Sequence, residues 1–507
     1  MIRFADLPSE IHHNIVSYLE SNRDVAALSL QCQALHSLCD MPTRKKYRRV
    51  RITPSIANLD HALQMLLDIL RKPSLGHYVR HIEYRQTNSR YRLYEVKPYE
   101  QKLDPEDMRL LRSATRRAGF TGALQERILN FLLRESVVGD HHYGFFRNTR
   151  APATYITQAL TALLVSVSPD LESMAMTPTF YTDLTGEDDS FVPSECALDL
   201  LLRETNENPL GKPYLQNLRK VYMINHGHDD FDDREVYVAM DFIGCLAMLR
   251  NLPSLEWIGT DVLAEDDNEK PSLEAKPSNV SCIAIHHSGV PTSYLAPVIR
   301  SCRVLKEFEY SIGGRGSVDG SHAIFNPKTF ILSVLEHRTT LEKLDLDAEG
   351  HIYHFRFRDP ADFEFDGEND RAEAQAYWKE PPPDSFWDQP GCLKDFVALK
   401  RLSIGVNLLL YFAAGVNNET ENKSVSLVEY LPPNLEYLCI RGYEKGKRTH
   451  NGTQMDALKA LVESGSTSLK EIHGIDECIP NAEDIELLGN YPDLLWKLPD
   501  GWSCEEE

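Results

Sequence analysis

Positive charge is scarce in this chain: 54 Lys and Arg stand against 76 Asp and Glu, a formal net charge of −22 over 507 residues. Phosphate binding needs net basic surface, so this balance argues against a nucleic-acid partner. No apolar run is long enough to span a bilayer, so no membrane partner is expected. The opening residues, Met1-Ile2-Arg3-Phe4-Ala5-Asp6, lack the basic-then-apolar order of a secretory signal, and the expected location is cytoplasmic, nuclear or both. The ten cysteines are dispersed with no Cys-x-x-Cys pair. In a reducing compartment they read as small buried hydrophobes, which excludes the usual structural zinc patterns.

Motifs of catalysis are equally sparse. There is no Gly-x-Ser-x-Gly elbow and no His-Glu-x-x-His. Gly313-Gly314-Arg315-Gly316 lacks the Gly-Lys-Ser/Thr ending of a phosphate loop and reads as a flexible turn. His226-Gly227-His228-Asp229-Asp230 is the best metal-like cluster, yet no third ligand stands at a typical zinc spacing. No cofactor and no metal are therefore expected, and the chain reads as non-catalytic. A third class, an enzyme whose site is built inside the insertions described below, would show as a pocket of converging, perturbed ionisable groups.

What is present begins at the N-terminus. Pro8 suits the first turn of a helix, where its missing N–H would be unpaired anyway, and Glu10 lies near the positive end of the dipole. Ile11, Ile15, Tyr18 and Leu19 follow at helical spacing as one apolar stripe. A polar break at Ser21-Asn22-Arg23-Asp24 offers caps for a second short helix carrying Val25, Leu28 and Leu30, and Cys32, Leu35 and Leu38 line a third. So small a module has little interior of its own. Its surplus of large apolar residues implies a covering partner. Arg44-Lys45-Lys46 and Arg48-Arg49, just beyond, read as a charged hinge.

Leu7-Pro8-Ser9-Glu10-Ile11, Tyr18-Leu19 and the Leu-x-Leu-x-Cys-x-x-Leu stretch from Leu28 to Leu35 resemble the F-box, the helical module that docks on the adaptor Skp1 in SCF-type ubiquitin ligases. The resemblance implies that Leu7, Pro8, Ile11, Ile15, Tyr18, Leu19 and Leu28 supply apolar contacts to a Skp1-like adaptor. Glu10 would be a polar rim contact.

Beyond the module a unit recurs: helix-like text, a polar turn, then Leu-x-x-φ-x-φ with φ apolar. The clearest copies start at Leu341, Leu399 and Leu435, weaker ones at Leu171, Leu218 and Leu305, and partial ones at Leu255, Leu469 and Val79. This strand-plus-helix pattern resembles a degenerate leucine-rich-repeat array of the F-box–LRR type. Starts at Leu305 and Leu341 lie 36 residues apart, longer than the usual ~20–29. A mixed α/β fold follows: a helical module at 1–50, an irregular repeat solenoid at 51–490 with strands on its concave side, and a cap with an acidic tail at 491–507. Insertions are expected near 86–150, with a helix over 105–135, and near 351–390.

By strand alternation, Lys220, Tyr222, Glu307, Glu309, Lys343, Asp345, Arg401, Ser403, Tyr437, Cys439 and Arg441 point away from the apolar positions, towards the concave surface. They are the expected contacts to a protein target. The resemblance implies a substrate-recognition subunit of an SCF-type ligase, working with the adaptor and cullin-RING components. The alternative is a protein-interaction scaffold with no ligase role.

Overall fold

The computed structural model describes residues 7–8, 11, 15–16, 19, 22–85, 103–133, 151–179, 196–225, 237–265, 273–313, 323, 325–351, 382–415, 426–447 and 449–481. The chain divides into two compact units. The first comprises Met1–Tyr84, Tyr94–Ser173 and Pro213–Leu215; the second comprises Arg85–Leu93, Met174–Lys212 and Gln216–Glu507.

In the first unit, helices Asn22–Ser29, Gln33–Cys39 and Met41–Arg48 follow one another closely. Asp40, in left-handed backbone, ends the second of these and opens the third. The expected charged hinge is thus a helix, and it runs straight into strand β1 (Arg49–Ile52). Alternation in β1 buries Val50 and Ile52 and leaves Arg49 and Arg51 half-buried. β1 pairs in parallel with β2 (His81–Tyr84), and register sets Arg51 beside the buried Glu83, 3.4 Å away. Between them the helix Ile56–Arg71, capped by Ser55, buries Leu59, Leu63, Leu66 and Leu70.

The span expected as one helix over 105–135 is two, Pro105–Arg117 and Gly122–Leu133, because Gly119 adopts φ 100° between them. The first has an ideal start. Asp104 Oδ1 accepts from the Asp107 N–H at 2.7 Å, and Pro105 occupies the first turn. Asp107 in turn takes a two-pronged ion pair from Arg71, at 2.9 and 2.5 Å.

The second unit is a mixed α/β sheet structure. Its strands are β3 (Ser173–Met176, whose first residue belongs to the other unit), β4 (Lys220–Met223), β5 (Val238–Ala239), β6 (Trp257–Asp261), β7 (Leu263–Ala264), β8 (Cys282–His286), β9 (Glu307–Ser311), β10 (Lys343–Asp347), β11 (Arg401–Gly405), β12 (Tyr437–Arg441) and β13 (Glu471–His473). The main sheet runs β3-β4-β6-β8-β9-β10-β11-β12-β13, in chain order, while β5 and β7 pair separately. From β4 onward each neighbouring pair is parallel.

Every Leu-x-x-φ-x-φ copy named above runs into a strand. The leading Leu218, Leu255, Leu305, Leu341, Leu399 and Leu435 are buried just before β4, β6, β9, β10, β11 and β12. The φ residues form two continuous buried rows across the ladder, one of them Val221, Ile258, Ile283, Phe308, Leu344, Leu402 and Leu438. Helices pack on these rows. Phe330, in the helix Pro327–Leu335, lies with its ring 5.7 Å from that of Phe308.

A row of charges precedes the strands. The backbone N–H of Glu342 donates to Lys306 O, Lys400 to Glu342 O, Glu436 to Lys400 O and Lys470 to Glu436 O. The side chains therefore alternate in sign along the array, and Lys400–Glu342 and Lys470–Glu436 pair at 2.7 and 2.8 Å.

Candidate functional site

Two surfaces carry the expected contacts. In the N-terminal module the buried cluster is small: Val16, Val25 and Cys39, with Leu19, Leu28, Leu38 and Met41 packed partly against it. Leu35 is also buried, whereas other apolar side chains described there stay accessible. Leu7 and Ile15 are half-buried, Pro8 is exposed, Ile11 is 44% exposed and Leu30 82% exposed. The Ile11 N–H donates to Pro8 O at 3.0 Å, so Pro8 opens a turn as its sequence position predicts. Glu10 and Tyr18 lie outside the described residues.

The second surface is the sheet face opposite the buried rows. Register places Lys220, Trp257, Cys282, Glu307, Lys343, Arg401, Tyr437 and Glu471 in one line across β4–β13. Tyr222, Gly259, Ala284, Glu309, Asp345, Ser403, Cys439 and His473 form the next. Arg441 belongs to a third row, beside Gly405. All the residues expected to face a target share this face, but they are not all available. Tyr222, Ser403 and Cys439 are buried.

Tyr222 clusters with the buried Ala175 and Ile224, and Trp257 packs against them. Tyr222 donates its hydroxyl to Asp261 Oδ2 at 2.7 Å, and the His287 ring nitrogen Nδ1 lies 3.3 Å from the other carboxylate oxygen. Burial, and then the Asp261 charge, hold the Tyr222 phenol well above its usual range. Glu309 sits between His286 Nε2 at 3.0 Å and Lys343 Nζ at 2.5 Å. Burial pushes its carboxyl up, but these two hydrogen bonds win and hold it at about 2. Lys343 is the mirror case: burial lowers its pKa, and Glu309 more than offsets this.

Arg441 reaches across β11. Its Nη1 donates to Asp345 Oδ1 at 2.7 Å, and Nε lies 3.6 Å from Asp347 Oδ2. Strands β10 and β12 are two spacings apart, about 10 Å, within an extended Arg side chain's reach. The residue of β11 in register between Asp345 and Cys439 is Ser403, whose side chain is small. Burial opposes the Arg441 charge, and the two aspartates outweigh it.

Further along, Arg401 lies over the Tyr437 ring, 4.5 Å from its centroid, and the His473 ring lies 5.4 Å beyond. Burial keeps the Cys282 thiol above its usual pKa, so it carries no activated thiolate at neutral pH. Among the described residues no group of three or more His, Cys, Asp or Glu is arranged to hold a metal ion, and no helix is long and apolar enough to cross a membrane. The His226–Asp230 cluster, residues 314–316, the 491–507 cap and most of the two insertions fall outside the described residues.

No protein-family model matches the chain, and no curated protein matches it. The face must therefore be read from its own residues. Asp261, His286 and Asp347 were not among the sequence candidates, though they share the alternation: each lies one residue past the last φ position, as Arg441 does. Asn407 lies in the first turn of the helix Val406–Ala414. Its backbone N–H and side-chain amide both donate to Glu349, at 2.6 and 3.0 Å.

Proposed function

We propose that this chain is a substrate-recognition subunit of an SCF-type ubiquitin ligase. It would bind a Skp1-like adaptor through the N-terminal module and a protein target through the polar face of a leucine-rich-repeat-like solenoid. The observation that carries this reading is the module's imbalance. Among the described residues its buried cluster is Val16, Val25 and Cys39, while Pro8, Ile11 and Leu30 stand in solvent and Leu7, Ile15, Leu19 and Leu28 are half-covered. A folded module that leaves such side chains in water gains by docking on another polypeptide. The strands in chain order and the buried leading leucines support the repeat reading. The chain's own contribution would be proximity, holding a target where a ubiquitin-loaded enzyme can reach it.

Ile11→Asp and Leu19→Asp test the docking surface. Both are expected to abolish co-purification with a Skp1-type adaptor, leaving the unfolding of the second unit unchanged. Adaptor binding retained by both variants would remove the docking assignment. Ubiquitin transfer to a captured target in a reconstituted cullin complex then separates a ligase receptor from a scaffold.

A further inference from the structure

On strands β9–β13 three Lys and Arg side chains share the polar face: Lys343, Arg401 and Arg441. Lys343 is neutralised by Glu309, and Arg441 by Asp345 and Asp347. On the row preceding the strands, Lys400 and Lys470 also have carboxylate partners. Arg401 differs. It is exposed, no carboxylate pairs with it among the described residues, and its defined contact is the face of Tyr437 at 4.5 Å. Register fixes that contact, since Arg401 and Tyr437 are direct partners across β11 and β12. A guanidinium stacked on an aromatic ring has its plane set, and its N–H edges remain free to donate in parallel to a planar carboxylate. Tyr437 is half-buried and flanked by the exposed His473 ring, so an apolar surface adjoins the free donors.

We infer that Arg401 and Tyr437 are the anchor of the target surface, and that they take one Asp or Glu side chain from an extended segment of the target, with an adjacent apolar residue covering Tyr437. This rests on the target-receptor reading above. Charge complementarity selects the occupant, because an exposed guanidinium held against Tyr437 with no carboxylate of its own among the described residues calls for one. The rest of the chain limits it: a net charge of −22 repels an acidic run, so the segment carries a single acid among neutral or basic residues. Arg and Tyr are also the residue types that most often dominate interface energies.

The test uses the purified full chain and a phage-displayed random peptide library, which presents no free C-terminus. Recovered peptides should share one Asp or Glu next to an apolar residue. For a capped synthetic version of a recovered peptide, changing that acid to its amide, or Arg401→Ala in the protein, should each weaken binding about tenfold or more. Arg401→Lys should fall between, Tyr437→Phe should keep binding, and Arg401→Glu should bind the peptide whose acid is replaced by Lys. Absence of binders, absence of a recurring acid, or equal binding by Arg401→Ala would overturn the inference. A preference for phosphoserine over Glu at that position would also do so, by making the site a phosphate site. Peptide capture by a protein that fails to bind the adaptor would sink the ligase reading and leave this one standing. Adaptor binding without peptide capture would do the reverse.

Discussion

Replacing Glu349 by Gln should stabilise the second unit at neutral and alkaline pH. Glu349 is buried at the start of the helix Val406–Ala414, where its carboxyl accepts from the backbone N–H groups of Asn407 and Leu408 at 2.6 and 2.9 Å and from the Asn407 amide at 3.0 Å. A helix N-terminus favours a negative charge. Burial acts against it and is the larger effect, with Asp347 adding repulsion, so the carboxyl is raised from 4.5 to about 7. An acid whose folded pKa is raised does not weaken the fold below about 4.5, where both states are protonated. Between there and about 7 the unfolded chain ionises while the native one keeps its proton, so stability falls as pH rises and then levels off. The full loss is roughly 3 kcal/mol. Gln cannot ionise, its carbonyl can accept both backbone N–H groups, and the Asn407 amide can turn to meet the new NH2. Thermal unfolding of wild type and Glu349→Gln should therefore be followed across this range, alongside hydrogen exchange at the Asn407 and Leu408 amides. The variant should match wild type in acid and exceed it progressively above. Parallel pH profiles, or a variant less stable throughout, would refute the reasoning.

Glu309 predicts the opposite slope. Its carboxyl is held at about 2 in the fold, so its contribution is present above the ordinary 4.5 and fades as pH falls towards 2. Lys343→Met should raise the Glu309 pKa, read by carboxyl NMR titration, and move acid unfolding to higher pH. Gly474→Ala should loosen β13, because Gly474 has φ 86° and a Cβ there would be driven into the Ile440 carbonyl oxygen. Faster exchange of the Ile472 amide is the readout. In the first unit, Asp104→Ala removes a helix cap and should cost about 1 kcal/mol, seen as faster exchange at Asp107 and Met108.

The repeat was legible because each strand announces itself with a buried leucine and two alternating apolar residues. β8 was missed because Val280 stands where the leading leucine is expected and no clear helix-like text precedes it, although Ile283 and Ile285 carry the alternation. β1 was hidden by its arginines, whose neighbour in register, Glu83, is remote in sequence. The broken helix over 105–135 turned on the backbone of Gly119. On the candidate face, alternation assigned the right side to every residue but not its exposure. Tyr222 is buried against Ala175 and Trp257, which are distant from it in sequence. Periodicity reports which way a side chain points; what lies over it is a tertiary fact.

The alternating charges of Lys306, Glu342, Lys400, Glu436 and Lys470 act as a parity check on the array. Excising one strand-and-helix unit between them would set like beside like, Lys306 against Lys400 or Glu342 against Glu436. Excising two adjacent units would restore opposite neighbours. Loss in pairs should thus be better tolerated than loss of one, and added salt should narrow the difference, since these side chains are open to solvent. Equal tolerance of odd and even deletions at low ionic strength would show that the pattern exerts no such control.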